Sequence, residues 1–96
     1  MPLTVVATIT SKPGSEEIVR GALAELVTGT RGEPGCLSYD LYQSAVDSTV
    51  FITIESWRQQ SDLDEHLQTP HLQKALATAG EHLASPPAIH PLNPVA

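Results

Sequence analysis

Two histidines five residues apart, His66 and His71, are the side chains of this sequence best suited to moving protons near neutral pH. An unperturbed imidazole has a pKa of about 6.5, so it can either accept or donate a proton there. The only tryptophan, Trp57, offers an indole N–H donor and a flat surface for stacking. These residue types suit acid–base chemistry on an aromatic ligand, although the sequence contains no nucleophile motif.

Structural roles compete with chemical ones at the same positions. The single tryptophan of a small core can serve as a packing anchor with a satisfied N–H. A histidine in a short helix often bonds a backbone carbonyl or faces water. His66 and His71 could also hold a metal ion, but their spacing fixes no third ligand beside them, so we predict no metal site.

Glu55 and Cys36 are assigned structural roles. Glu55 lies in mid-strand among apolar neighbours, and we expect it to make a structural hydrogen bond or an ion pair, with Arg58 or Arg20 as candidate partners. Cys36 is expected to be an inert buried thiol. As the only cysteine, it can form no internal disulfide and no cysteine zinc site.

The helix ends predict which histidine is the base. Thr69 before Pro70 is typical of an N-cap with proline at the first helical position, which puts His71 in the first turn. The positive end of the helix dipole disfavours the imidazolium there, so His71 is predicted to be neutral and to act as the base. His66 lies near the C-terminal end of the preceding helix and is predicted to be a hydrogen-bond donor or a structural residue.

The elements that position these residues follow from hydrophobic periodicity and turn signals. Ser15 is a predicted N-cap, and Ser61 with Asp64 resembles a capping box. The predicted order is a strand over Leu3–Thr10, a helix after Ser15, strands over Cys36–Tyr42 and Val50–Trp57, two short helices that Pro86-Pro87 terminates, and a weak strand over Ala88–Asn93.

This order predicts an α+β fold, the ferredoxin-like split βαβ arrangement, with an antiparallel sheet and both helices on one face. The third strand nevertheless carries Val50, Ile52 and Ile54 on the face opposite Phe51 and Trp57. An uncovered apolar sheet face is usually an interaction site. We therefore predict a homodimer that packs sheet against sheet.

Composition excludes several classes of function. The 96 residues fit one domain, 1–96, and 5 basic against 11 acidic side chains give a net charge of −6. The acidic balance argues against nucleic acid and against anionic membranes as partners. The sequence has no apolar run of membrane-spanning length and no export signal at its start, so we expect a cytoplasmic protein.

Three motifs lie before the second strand, in the third strand and across the following helices. They are Glu33-Pro34-Gly35-Cys36 with Tyr39 shortly after, Phe51-Ile52-Thr53-Ile54-Glu55-Ser56-Trp57, and Leu63-Asp64-Glu65-His66-Leu67-Gln68-Thr69-Pro70-His71-Leu72. Together they resemble the antibiotic biosynthesis monooxygenase family, and the His66–His71 stretch is most similar to the small bacterial quinol monooxygenases.

The resemblance implies a dimeric α+β barrel with a pocket between sheet and helices. It also implies oxidation of small aromatic, phenolic or quinol-type compounds by dioxygen, without metal or flavin cofactor. Such chemistry needs an apolar cavity, a donor for the oxyanion and a base. Trp57, His71 and His66 are the predicted catalytic residues, and Tyr39 and Phe51 the predicted substrate contacts.

Two other functions occur on the same fold. A haem-degrading relative uses an asparagine in the first strand, and the first strand here has none. A non-catalytic ligand-binding or stress-response dimer is the main alternative, because a fold does not determine function.

Overall fold

The computed structural model describes all residues, 1–96, as four strands and three α-helices. The strands are β1 (Leu3–Thr10), β2 (Cys36–Gln43), β3 (Val50–Trp57) and β4 (Ala88–Leu92). The helices are α1 (Glu16–Arg31), α2 (Gln60–His66) and α3 (Pro70–Ala79), and a 3₁₀ turn covers Gly80–His82.

The strands form one antiparallel sheet in the order β2-β3-β1-β4. β1 and β3 are central, with Leu3 opposite Trp57 and Thr10 opposite Val50. β4 lies at the edge beside β1 and contains Pro91, whose missing N–H is tolerated there. This topology confirms the predicted ferredoxin-like fold.

Alternation along the strands separates a helix-facing side of the sheet from an outer side. On β1, Val5, Ala7 and Ile9 are buried under the helices, whereas the residues between them are partly accessible. The helix-facing side packs against the apolar stripe of α1 and against α3. Its main core cluster consists of Ala7, Ile9, Val19, Ala22, Leu23, Leu26, Phe51, Ala75 and Ala79.

The outer side of the sheet carries a group of apolar side chains that is open to solvent. Ile54 is 45% exposed and Tyr42 is 53% exposed. Ile52 pairs with both Tyr42 and Thr8, and Ile54 pairs with Val6, which brings these side chains together on one surface. No helix of the protein combines the length and the apolar composition needed to span a membrane.

The predicted capping box and the predicted end of the last helix are wrong. α2 begins at Gln60 after the extended residue Gln59, so Ser61 lies inside the helix instead of capping it. α3 ends at Ala79 and not at Pro86, because the chain leaves the helix to join the end of β1. There the backbone of Leu83 forms an isolated antiparallel β-bridge with that of Ser11.

Gly35 allows the loop before β2 to lie directly against α2. A Cβ atom at Gly35 would overlap the side chain of Asp62. Asp62 is itself held by two hydrogen bonds from Arg58, at 3.0 and 3.2 Å. The Arg58 backbone N–H donates to the Gly35 carbonyl, so this contact locks the α1–β2 loop to the end of β3.

We expect Gly35→Ala to lower the free energy of unfolding by about 1–3 kcal/mol, because the added methyl group forces Asp62 away from Arg58. Gly21→Ala is the matched control: Gly21 is exposed on α1, and no atom lies within 4 Å of the position that a Cβ atom would take. That change should raise stability by about 0.5–1 kcal/mol. Urea unfolding measures both, and equal effects would contradict the proposed contact.

Candidate active site

A cavity of about 230 Å³ lies between the helix-facing side of the sheet and the three helices. Most of its wall is apolar and comes from every strand and helix. Small side chains, including Ala7 on β1 and Ala75 and Ala79 on α3, leave the space unfilled. Leu83, Pro87 and Ile89 line the side towards β4. A small apolar molecule fits such a site.

The polar atoms of the wall come from Tyr39, Thr53, Glu55 and His66. Glu55 is 4% exposed, and both of its carboxyl oxygens accept hydrogen bonds. The Thr53 hydroxyl donates to Oε2 at 2.7 Å, and the Trp57 indole N–H donates to Oε1 at 2.9 Å. The predicted structural hydrogen bond of Glu55 is therefore present, but its partners are neutral side chains and not an arginine.

Trp57 and Phe51 are core residues that do not line the cavity. Trp57 is fully buried, its N–H is bonded to Glu55, and its ring centroid lies 4.8 Å from that of His66. Phe51 is 1% exposed within the core cluster, beneath the guanidinium of Arg20. Trp57 thus supports the polar wall from behind, whereas Phe51 lies apart from it.

His66 and His71 are joined by the carboxylate of Glu33, a residue that no periodicity or helix-end signal marks as part of the site. Oε2 of Glu33 lies 2.7 Å from Nδ1 of His66 and 2.7 Å from Nε2 of His71. Glu33 is in the α1–β2 loop, His66 ends α2, and His71 is in the first turn of α3. The one oxygen therefore connects three segments of the fold.

The other ring nitrogen of His66 reaches the cavity. Nε2 makes no hydrogen bond within the chain, and Thr30 Oγ1 is the only fully buried side-chain polar atom without a partner. Nε2 must therefore border accessible space. Because His66 is only 3% exposed and lines the cavity, we infer that this space is the cavity.

His71 lies on the other side of Glu33. It is not among the residues that line the cavity, and 28% of its side chain is exposed. It borders a shallow groove between α1 and α3 with Glu25 and Lys74. The structure thus brings His71 next to His66 through Glu33, but towards the protein surface.

Glu33, His66 and His71 are also the residues whose types and proximity could hold a metal ion, since their ligand atoms lie within 4.8 Å of one another. Glu33 is thus the third ligand type that the spacing of the two histidines alone did not fix, and in this structure its Oε2 lies 2.7 Å from a nitrogen of each imidazole. Both distances are those of short hydrogen bonds to a carboxylate. In this structure the group is a hydrogen-bonded bridge.

Burial keeps two nearby acidic groups protonated. Burial, and then the charge of Glu55, raise the pKa of Tyr39 far above its usual value of 10.0. The Tyr39 phenol therefore remains a hydrogen-bond donor. Burial, followed by the charges of Glu33 and Glu55, also raises the pKa of Cys36. A raised pKa disfavours the nucleophilic thiolate, as expected of an inert residue, but the prediction that Cys36 is buried is wrong, because its side chain is only partly buried at the start of β2.

Of the residues singled out from sequence, Tyr39, Trp57, His66 and His71 form one cluster. Tyr39 and His66 have ring centroids 5.6 Å apart, and the two histidine rings are 6.2 Å apart. Glu33 lies within the first of the three sequence motifs but was assigned no role. Its position in that motif, two residues before Gly35, was the signal available in the sequence.

Comparison with known proteins gives a consistent result. A family model described as antibiotic biosynthesis monooxygenase matches residues 2–78. The structure of Rv0793 from Mycobacterium tuberculosis superposes with a TM-score of 0.89 at 38% identity, covering 100% of this chain and 97% of that one. PA3566 from Pseudomonas aeruginosa gives a TM-score of 0.88 at 40% identity, covering 99% and 95%. The Escherichia coli K12 protein called "Probable quinol monooxygenase YgiN" is 32% identical over 82 residues, covering 74% of this chain and 78% of that protein.

The buried phenol predicts a specific loss of stability at alkaline pH. The Tyr39 pKa is raised in the folded state, so the unfolded chain releases this proton first as pH rises past 10.0. Stability from Tyr39 is complete below that pH and declines above it. We expect Tyr39→Phe to reduce the loss of unfolding free energy between pH 8 and pH 11 by about 1 kcal/mol. An unchanged loss, measured by urea unfolding, would contradict the burial argument.

Proposed function

Because the chain belongs to the antibiotic biosynthesis monooxygenase family, we propose that it oxidises small phenolic or quinol-type compounds with dioxygen and without a metal or flavin cofactor. The observation that carries this proposal is the contrast inside the cavity. An apolar wall surrounds a space in which Tyr39, Glu55 and His66 supply the polar atoms. A flat aromatic ring with a hydroxyl group matches both parts of this surface.

The proposed reaction needs no external reductant, because the substrate supplies the electrons. The base removes the proton of a phenol or enol hydroxyl, and the electron-rich anion transfers one electron to dioxygen. Recombination of the two radicals forms a C–O bond. The base returns its proton to the resulting peroxide. The O–O bond then breaks as the hydrogen on that carbon leaves as a proton, so that one oxygen atom becomes a carbonyl oxygen and the other leaves as water.

His66 is the proposed base. Its Nε2 makes no hydrogen bond within the chain and borders the cavity, so it can accept a substrate proton. This assignment reverses the preference for His71 drawn from the helix dipoles, because a base must reach the proton that it abstracts. The Tyr39 hydroxyl is the proposed donor to the substrate oxyanion.

Trp57 has a supporting role in this proposal. Its indole N–H is engaged by Glu55, so it orients that carboxyl group and leaves oxyanion stabilisation to Tyr39. Phe51 is proposed to hold β3 against α1 within the core cluster and not to contact the substrate.

We also propose that the protein works as a homodimer. The outer side of the sheet carries Val6, Tyr42, Ile52 and Ile54 together, and no helix of the same chain covers them. A second copy, packed sheet against sheet, is the simplest cover for such a surface. The cavity opens on the opposite side of the sheet, so each subunit would keep its own site.

Oxygen consumption tests the reaction. Protein treated with EDTA and dialysed is mixed with a dihydroquinone or an anthrone in an oxygen electrode, and the rate is expected to exceed the spontaneous rate. His66→Asn keeps an amide N–H near the position of Nδ1, able to bond Glu33, but removes Nε2. We expect it to lower the catalysed rate by about 10²–10⁴-fold, the range for loss of a general base.

The matched control for a cavity hydroxyl is the second tyrosine of β2. Tyr39→Phe is expected to slow oxygen uptake, whereas Tyr42→Phe, on the outer side of the sheet, should retain the wild-type rate. If the protein accelerates oxygen uptake with no substrate of either class yet still binds them, the non-catalytic ligand-binding alternative replaces this proposal.

Sedimentation tests the dimer with two isoleucines of nearly equal exposure. Ile54 is 45% exposed on the outer sheet side, and Ile18 is 46% exposed on α1. Ile54→Asp is expected to give a folded monomer, because the new charge would be buried unpaired in the interface. Ile18→Asp should remain dimeric. A monomeric wild-type protein at micromolar concentration would refute the proposal.

A further inference from the structure

We infer that Glu33 and His71 are positioning residues that act on His66 from outside the cavity. Glu33 orients His66 so that its free Nε2 faces the substrate. His71 donates a hydrogen bond to the same Glu33 oxygen and so weakens the interaction of Glu33 with His66. The inference rests on the proposed function, in which His66 is the base. Its support is the bridge in which one oxygen of Glu33 lies 2.7 Å from both imidazoles.

The first step is the choice of tautomer. A carboxylate oxygen has no proton to give, so Nδ1 of His66 must carry the hydrogen that lies between it and Glu33. A neutral imidazole has one N–H, which leaves Nε2 as a lone pair. Because Nε2 borders the cavity, the bond to Glu33 turns the accepting nitrogen towards the substrate.

The second step is charge. When His66 accepts a proton at Nε2, the ring becomes positive while it still donates from Nδ1 to Glu33. A carboxylate at hydrogen-bond distance, with 11% of its side chain exposed, stabilises that charge. Glu33 therefore stabilises the protonated ring without touching the substrate.

Other ionisable groups face His66 from each neighbouring element. Glu33 lies in the α1–β2 loop, His71 on α3, Tyr39 on β2 and Glu55 on β3. Tyr39 is uncharged, and both oxygens of Glu55 are occupied by other donors. On α2 itself, Asp62 is paired with Arg58 and Glu65 is exposed. Glu33 is therefore the one ionisable group hydrogen-bonded to the His66 ring.

The third step concerns His71, which shares the same oxygen. Its Nε2–H competes with His66 for the negative charge of Glu33, so it weakens the pull on His66. Gly29 on α1 makes this second bond possible. A Cβ atom at Gly29 would lie 2.8 Å from Cγ of His71 and 2.9 Å from its Cβ. The imidazole reaches Glu33 only because no side chain occupies that space.

The test is the pH profile of kcat/KM for oxygen uptake, measured on EDTA-treated protein. Glu33→Gln keeps the shape but removes the charge, so the acid limb should move to lower pH and kcat/KM should fall by about tenfold or more. His71→Phe removes the competing donor and keeps a ring, so the acid limb should move to higher pH with kcat changed by less than about threefold.

A second variant reaches the same bond without altering an ionisable group. Gly29→Ala displaces the His71 ring. The acid limb of the pH profile of this variant should therefore move in the same direction as that of His71→Phe. Gly21→Ala, on an open side of the same helix, should leave the limb where it is. If Glu33, His71 and Gly29 had purely structural roles, these variants would have a lower melting temperature, and the acid limb of their pH profiles would not move.

Three results would overturn the inference: an unmoved limb in Glu33→Gln, shifts of the same sign in Glu33→Gln and His71→Phe, or a loss of turnover in His71→Phe as large as in His66→Asn. Imidazole ¹⁵N NMR provides a readout that needs no substrate. We expect His66 to be the Nδ1–H tautomer. The pH at which its ring becomes protonated should be lower in Glu33→Gln and higher in His71→Phe than in the wild-type protein. If the NMR shifts occur but the wild-type protein oxidises nothing, the proposed function fails alone; if turnover occurs with an Nε2–H tautomer, this inference fails alone.

Discussion

The orientation of His66 in the cavity wall depends on one carboxylate oxygen, Oε2 of Glu33, which lies at hydrogen-bond distance from two imidazole rings. Glu33, His66 and His71 come from a loop and from two helices that follow each other along the chain. Charge-assisted hydrogen bonds are about twice as strong as neutral ones, and they fix direction as well as distance. The bridge therefore ties the end of α2 and the start of α3 to the α1–β2 loop, and it determines which edge of His66 faces inward.

The cavity is possible because the two layers are held apart by contacts around it. Large side chains pack at the two ends of the helix-facing side: Trp57 with Val5, Val27, Tyr39 and Leu63, and Phe51 with the stripe of α1. Between them, Ala7 on the sheet faces Ala75 and Ala79 on α3 across the empty space. An unfilled space of this size is costly for a small domain, which favours its use by a ligand.

Burial of Glu55 illustrates how the site stays polar inside an apolar core. A carboxyl group removed from water needs hydrogen-bond partners, and alternation along β3 supplies them two residues away on either side. Thr53, Glu55 and Trp57 all face the helices, so the donors are already placed by the strand. The same alternation puts Ile52 and Ile54 on the outer side, so the strand that builds the site also builds the exposed apolar surface.

Local signals in the sequence were enough to predict most elements and the sheet, whereas the arrangement of the histidines is a property of the fold. Periodicity and turn signals act over a few residues, so β3 and the N-cap at Thr69 were predicted residue by residue. The end of α3 was not, because Leu83 leaves the helical pattern to meet Ser11, which lies in another part of the chain.

Helix dipoles are also local: they favoured His71 as the base, but they contain no information on which ring reaches the cavity. That depends on Glu33, which is distant from both histidines in sequence, and on the missing side chain at Gly29. Hydrogen bonds between distant segments have no periodic signature in a single sequence, so the fold determined which of the named residues face the cavity and which support those that do.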